Sequence, residues 1–385
     1  MGVKAQRSYD GVDGPRVVIA HDYLTQRGGA EKVVLSMSRA FPDAPIHTLL
    51  YDPDGTYPEF ADRDIRVSTL NRIPLFRKHH RLALPILPAV ASSVFIDADV
   101  VLTSSSGWAH GFGTNGVKLV HCHTPAHWLY TPDMYLKDQG DMSKRMLLKV
   151  ASAPLKAWDR RAALSCDRYL AVSTMVKERI SDAYGIEADV LPSPVAMNTD
   201  VAVEPIPELA AWAGAEQPFF LCVSRLLPYK NVDKVVRAFS GPDGSGRRLV
   251  VVGRGPEARH IEQIRTPNVV LLSDLTDAQM AWLYQSCQAL IAASYEDYGL
   301  TPIEAAVWGK PAVVLRWGGF LDTVVDGVTG TFFDEPEAAS IAAALDRFST
   351  QSFDSQIIRR HADQFTEQRY AERLYEAVDE LAAKC

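Results

Sequence analysis

Two acidic residues, Glu296 and Glu304, frame one stretch of the chain, Ser294–Gly309. The apolar run 289–294 before them reads as a buried parallel strand. Gly299 permits a tight turn or a close backbone approach. Thr301 has the character of an N-cap and Pro302 that of a first helical residue. Ile303, Ala306 and Val307 then form an inward face. Glu296 is thus expected at a strand's carboxyl end and Glu304 in the first turn of the next helix. Free backbone N–H groups and the positive end of the helix dipole suit an anion at that place. The two carboxylates could grip hydroxyls of a sugar and a ribose. Thr301 and Glu304 also have the T-x-x-E spacing of a capping box, in which Glu304 only ties off the helix start. Both readings of Glu304 are open at this level.

Cations of matching chemistry lie upstream. In Ser224-Arg-Leu-Leu-Pro-Tyr-Lys230, Arg225 and Lys230 project from a strand end and the loop after it, with Asn231 expected to cap the following helix. A planar fork and a compact point charge suit a diphosphate, although a solvated surface pair fits the spacing equally well. Glycine loops follow two other strands. Gln26-Arg-Gly-Gly-Ala-Glu31 places Gly28 and Gly29 where backbone could approach phosphate, and Val252-Gly-Arg-Gly255 places Gly253 and Arg254 beside a base or ribose. Ordinary turns account for either loop taken alone. Asp274-Leu275 ends the next strand at a similar depth.

His121-Cys122-His123-Thr124-Pro125, with His127 nearby, has metal-ligand residue types. On a strand His121 and His123 share one face and Cys122 takes the other, which opposes convergence, and no second cluster with zinc spacing exists. His123 at a strand end could instead hydrogen-bond a sugar hydroxyl as a neutral imidazole, or serve structure alone. Asp52-Pro-Asp54 and Asp97-Ala-Asp99 have D-x-D spacing but fit solvated turns better. Asn71-Arg-Ile-Pro-Leu-Phe-Arg-Lys-His-His-Arg81 joins four fixed cations to exposed-looking Leu75 and Phe76. It suits either an anionic membrane face or a solvated loop.

The positioning elements alternate. Strands are expected at 16–22, 47–51, 65–70, 100–104, 117–123 and 169–173, with helices between them, among them 143–164 and 174–184. Prolines 192, 194, 205 and 207 break the pattern and mark a linker. The alternation then restarts: strands at 219–224, 249–253, 269–272, 290–294 and 312–316, helices at 231–239 and 277–286. From Ser355 the chain reads as helical, with Tyr370, Leu374, Ala377, Val378 and Leu381 at helical spacing. The expected division is a loose tail 1–14, domains 15–200 and 201–365, and a terminal helix 366–385. The fold class is α/β, with two tandem Rossmann-like doubly wound domains facing across a cleft.

The length of 385 residues fits two domains, and 47% hydrophobic with 23% charged residues is usual for a globular protein. A net charge of −7 opposes general nucleic-acid binding. Five scattered cysteines fit a reducing compartment better than a disulfide framework. No signal peptide is visible, and the longest apolar region, 82–96, is too short to span a bilayer. The expected location is cytoplasmic, with peripheral contact through residues 71–81.

The order of these signals, more than any one of them, resembles the GT-B retaining glycosyltransferases of family 4, over about residues 16–380. Glu296 to Glu304 and the Arg225/Lys230 pair carry the resemblance most specifically. The segment Gly318-Gly-Phe-Leu-Asp-Thr-Val-Val-Asp-Gly-Val-Thr-Gly330 is also similar, with Asp322 where the family usually has Glu. The resemblance implies that Arg225 and Lys230 hold the donor diphosphate and stabilise the leaving group. It implies that Glu304 binds the ribose, that Glu296 contacts the transferred sugar, and that N–H groups of Leu300 and Thr301 meet the phosphates. Gly28 and Gly29 would close on the same diphosphate, and His123 would lie near sugar and acceptor. No cofactor and no metal are implied, fixed cations taking the place of Mg²⁺. His21-Asp22, Arg27–Glu31 and Cys122–Pro125 look most like bacterial mannosyltransferases of surface polysaccharides or glycolipids, so the implied donor is GDP-mannose and the acceptor a glycan or lipid-linked glycan. The alternatives are a nucleotide-sugar epimerase, a phosphorylase, a non-catalytic nucleotide-sugar-binding subunit, or a metal-dependent transferase using Asp52 and Asp54.

Overall fold

The structure, a computed structural model, describes residues 14–83, 86–131, 142–195, 199, 201–209, 212, 218–240 and 246–383. Most of the tail expected at 1–14 lies outside them. The chain divides into two compact units: one runs to Pro194 and resumes at Glu367, the other is Val195–Thr366.

The first unit is built on β1 (Val17–His21), β2 (Ile46–Thr48), β3 (Ile65–Val67), β5 (Val100–Ser105), β7 (Val117–Cys122), β8 (Arg168–Ala171) and β9 (Asp189–Val190). These form one sheet in the order β3-β2-β1-β5-β7-β8-β9, every pairing parallel. A small parallel pair, β4 (Phe95–Ile96) with β6 (Gly113–Thr114), stands apart. Helices Gly29–Ala40, Met142–Leu164 and Thr174–Tyr184 intervene between the strands. Apolar runs such as Val100-Val-Leu102 are fully buried, as a parallel sheet covered on both faces requires. Strand β3 is shorter than the expected 65–70. Ser68 accepts a hydrogen bond from the Leu70 amide and starts a 3-10 turn at Thr69–Arg72.

The second unit carries β10 (Phe219–Val223), β11 (Arg248–Val252), β12 (Val269–Leu272), β13 (Ala289–Ala292), β14 (Ala312–Leu315) and β15 (Gly330–Phe333). Its order is β12-β11-β10-β13-β14-β15, again parallel throughout. The helix Asp277–Ser286 starts where Thr276 and Gln279 close a true capping box.

The terminal helix is interrupted. Ser355–Ala362 ends in a short 3-10 turn, and a second helix, Glu367–Ala382, begins beyond it. That second helix returns to the first unit, where it packs on β5, β7 and the helix Gly29–Ala40. Tyr370, Leu374, Ala377, Val378 and Leu381 are all buried there, joining Val33, Met37 and Phe41 in one core. Tyr375 donates to the Ala40 carbonyl at 2.7 Å, and Ser36 donates to Glu367 at 2.6 Å. Within the second unit its first and last segments meet, the Val195 amide donating to the Phe365 carbonyl at 2.9 Å.

Candidate active site

In the second unit the loop after β13 brings the acidic pair to one place. The helix there spans Leu300–Val307, two residues earlier than a Thr301 cap would allow. Gly299 occupies the N-cap position at φ 81, and no side chain caps the helix. A Cβ on Gly299 would stand 2.6 Å from the Phe320 ring, so both conformation and space demand glycine. The capping box is therefore not formed. Glu304 points elsewhere: its Oε2 accepts a 2.6 Å hydrogen bond from the hydroxyl of Tyr284, a buried residue of the helix Asp277–Ser286. Burial, reinforced by the Glu304 carboxylate, holds that phenol well above its ordinary pKa and keeps it a donor. The first amides of the helix, Leu300 and Thr301, have no carbonyl of the same helix to reach.

Lys230 ends a 3-10 turn, Pro228–Lys230, beyond β10, and is buried. Its Nζ forms an ion pair with Glu296 Oε1, which also accepts from Ser294 Oγ at 3.0 Å. The same Nζ lies 5.0 Å from the centre of the Tyr229 ring, while Arg225, which is exposed, donates to the Tyr229 hydroxyl at 3.3 Å. Tyr229 thus touches both cations. Asn231 stands at the head of the helix Val232–Ser240, as expected, its carbonyl accepting from the Lys234 and Val235 amides. It sits at φ 53 and its amide donates to the Ala293 carbonyl, tying this turn to the end of β13.

Gly253 has a cause inside the protein. A Cβ there would fall 1.9 Å from the Ser224 carbonyl, so glycine makes room for the loop that carries Arg225. Arg254 pairs with Asp274, both exposed. Leu275 packs against the core. Gly319 admits the Tyr298 backbone in the same way, and its amide donates to the Glu296 carbonyl.

In the first unit Gly28 is the N-cap of the helix Gly29–Ala40, with extended backbone and no side-chain cap. Beneath it lies Glu31, 1% exposed, whose carboxyl burial holds above the usual range. His123 follows β7 and its Nε2 lies 2.8 Å from Ser104 Oγ. His121 Nε2 meets the Leu191 carbonyl at 2.9 Å, Cys122 is buried and His127 Nδ1 meets Thr131 Oγ1. The donors of the His-Cys-His run are engaged separately, and among the described residues no group of three or more His, Cys, Asp or Glu could hold a metal ion. Asp97 and Asp99 pair with Arg16.

Sequence reasoning missed Tyr284 and Tyr229, and it gave Asp22 no structural role beyond the resemblance. Tyr284 and Tyr229 gave no motif signal. Asp22 accepts from the Ser106, Trp108 and Ala109 amides and from Ser105 Oγ, so a carboxylate at the end of β1 shapes the loop after β5. In the stretch 71–81, Arg72, Ile73, Leu75 and Lys78 are exposed. Phe76, expected outside, packs against the core instead. Among the described residues no helix is long and apolar enough to cross a membrane.

Residues 27–198 match the family described as Glycosyltransferase Family 4, and residues 212–370 match Glycosyl transferases group 1. The chain is 26% identical over 196 residues to the alpha-1,3/1,6-mannosyltransferase ALG2 of Dictyostelium discoideum, covering 43% of this chain and 46% of that one. It is 28% identical over 209 residues to a GDP-mannose-dependent alpha-(1-6)-phosphatidylinositol monomannoside mannosyltransferase of Mycolicibacterium smegmatis, covering 48% and 54%. A glycogen synthase of Pseudomonas paraeruginosa is 34% identical over 139 residues, covering 33% and 26%. The chain thus spans about half or less of the length of these relatives. The sucrose-phosphate synthase structure from Thermosynechococcus elongatus superposes with a TM-score of 0.69 at 17% identity, covering 96% of this chain and all of that one. The two parallel sheets, each wrapped by helices, are the GT-B fold. Between them the two family matches take up most of the described chain, and the protein belongs to the glycosyltransferases built from a Family 4 half and a group 1 half.

Proposed function

We propose that the protein transfers a hexosyl group, mannose first, from a nucleotide diphosphate sugar to a hydroxyl of a glycan or lipid-linked glycan, with retention of the anomeric configuration. One observation carries this reading. A single loop cluster of the second unit assembles a buried cation, Lys230, two carboxylates, Glu296 and Glu304, and an open helix N-terminus. In the proposed reaction the bond between the anomeric carbon and the diphosphate oxygen breaks. The acceptor oxygen bonds to the same face of that carbon, and its proton passes to the departing phosphate. Negative charge grows on the diphosphate, and Arg225, Lys230 and the Leu300 and Thr301 amides offset it. At rest Lys230 is paired with Glu296, so it must share or exchange that partner when donor binds. Glu296 is then released toward the sugar. Gly28, Gly29 and His123 are the proposed contribution of the first unit. Fixed cations make metal unnecessary in this scheme, and undiminished turnover in EDTA is its expected mark.

The mannosyltransferase relatives favour GDP-mannose as donor, while the glycogen synthase relative favours a nucleoside diphosphate glucose. Thermal-shift screening against GDP, UDP, ADP, dTDP and their sugars separates the two. The true donor raises the melting temperature by mass action. A larger shift with UDP-glucose or ADP-glucose than with GDP-mannose overturns the mannose reading, and no shift with any nucleotide overturns the reaction. A trapped covalent glycosyl-enzyme overturns same-face attack. The exposed Arg72, Ile73, Leu75 and Lys78 further support a cytoplasmic protein held peripherally at an anionic membrane face.

A further inference from the structure

A line of three side chains crosses the carboxyl edge of the first unit's sheet, over the adjacent strands β1, β5 and β7. Parallel register sets His21 beside Ser104, and Ser104 beside His121. His21 Nδ1 lies 3.0 Å from the Ser104 carbonyl oxygen and 3.1 Å from Ser104 Oγ. Ser104 Oγ lies 2.8 Å from His123 Nε2. His21 and Ser104 are 2% and 0% exposed, so water does not compete for the bonds between those two.

The proton positions follow from one fixed group. A backbone carbonyl only accepts, so His21 Nδ1 must carry a proton, aimed at Ser104. This holds whether His21 is neutral or charged. Among the described residues Ser104 Oγ touches no other hydrogen-bonding atom, so its own O–H has one acceptor within reach, His123 Nε2. A ring nitrogen that accepts is bare, and the neutral imidazole then holds its proton on Nδ1. Burial, helped by His121 and His21 beside it, depresses the His123 pKa well below its ordinary value and favours that neutral ring. His121, on the same face, is fixed the other way, since its Nε2 donates to the Leu191 carbonyl. His121 Nδ1 is left buried without a partner, whereas His123 Nδ1 is neither hydrogen-bonded to a described residue nor among the sealed atoms.

We propose that Ser104 and His21 are positioning residues that fix His123 as its Nδ1–H tautomer, so that His123 meets the ligand as a hydrogen-bond donor to a sugar oxygen and not as a general base. This rests on the transfer reaction proposed above, in which His123 lies at the sugar. Long-range proton–nitrogen correlation spectra of the ¹⁵N-labelled full chain at pH 7 test it. The expected wild-type spectrum has His123 Nδ1 as N–H and Nε2 as a bare nitrogen. Ser104→Ala shifts population toward the Nε2–H form and raises the donor KM about 3- to 10-fold, the size of one neutral hydrogen bond, with kcat changed less. An Nε2–H ring in the wild type, or tautomer populations unmoved in Ser104→Ala, overturns the proposal. The wild-type spectrum decides alone should Ser104→Ala not fold. A correct tautomer in a protein that transfers no sugar leaves the relay standing and removes the reaction.

Discussion

Replacing Lys230 by Met keeps the length of the stem and deletes the charge. The structure sets two separate magnitudes for that change. The first is stability. Lys230 is 8% exposed and its partner Glu296 is 28% exposed, so the variant leaves one carboxylate without its cation. An unpaired charge in a fully dry site costs about 3–5 kcal/mol. Glu296 keeps its 3.0 Å bond from Ser294 and some water, which brings the expected loss to about 1–2 kcal/mol. The second is rate. If Lys230 meets charge that develops only as the diphosphate leaves, kcat falls about 10²–10³-fold, or about 3–4 kcal/mol. Urea unfolding and initial rates of donor turnover with acceptor read the two independently. Adding Glu296→Gln removes the stranded charge and should recover stability, but not rate. A folded Lys230→Met enzyme whose kcat stays within about tenfold of wild type would refute the leaving-group role.

Tyr284→Phe removes a charge-assisted bond to Glu304 worth about 1.5–3 kcal/mol; the nucleoside diphosphate Kd should rise about tenfold, while affinity for the 2′,3′-dideoxy analogue stays constant in calorimetry. Equal losses for both ligands would show that Tyr284 supports only the fold. Burial pulls His121 down to about 4 from an ordinary 6.5. The unfolded chain therefore binds more protons between those values, so the stability this residue contributes is present above pH 6.5 and lost as pH falls toward about 4. His121→Gln, which keeps a donor for the Leu191 carbonyl, should lose less stability between pH 7 and pH 5; an equal loss would place the acid sensitivity elsewhere. Reversing Arg72 and Lys78 to Glu should abolish cosedimentation with anionic vesicles, and unchanged binding would retire the membrane contact.

Where a signal was local, the sequence was a sufficient guide. The helix read at 277–286 has those bounds, its start closed by the neighbouring side chains of Thr276 and Gln279. The five apolar positions of the last helix alternate at its own period and all face the core. Where the deciding partner is distant, the chain gave no sign of it. Thr301 and Glu304 carry a capping-box spacing, yet Gly299 turns the backbone two residues earlier against Phe320, and Tyr284 on another helix captures the carboxylate. Asn231 reads as a cap, and its carbonyl accepts from the Lys234 and Val235 amides, but its side-chain NH2 is spent on the distant Ala293 carbonyl after β13. Leu75 and Phe76 are neighbours of like hydrophobicity; only packing onto the core distinguishes them. The Ser104 link between His21 and His123 depends on the strand order β1-β5-β7, which periodicity does not reveal.

The return of Glu367–Ala382 to the first unit also dictates an order of assembly. On the ribosome the second unit, one unbroken stretch from Val195 to Thr366, can close its core as soon as it emerges. The first unit, though translated earlier, waits with Val33, Met37 and Phe41 uncovered until residues 370–381 are made. That half-built sheet is the species a chaperone would bind during synthesis, and the one most exposed to aggregation when translation stalls.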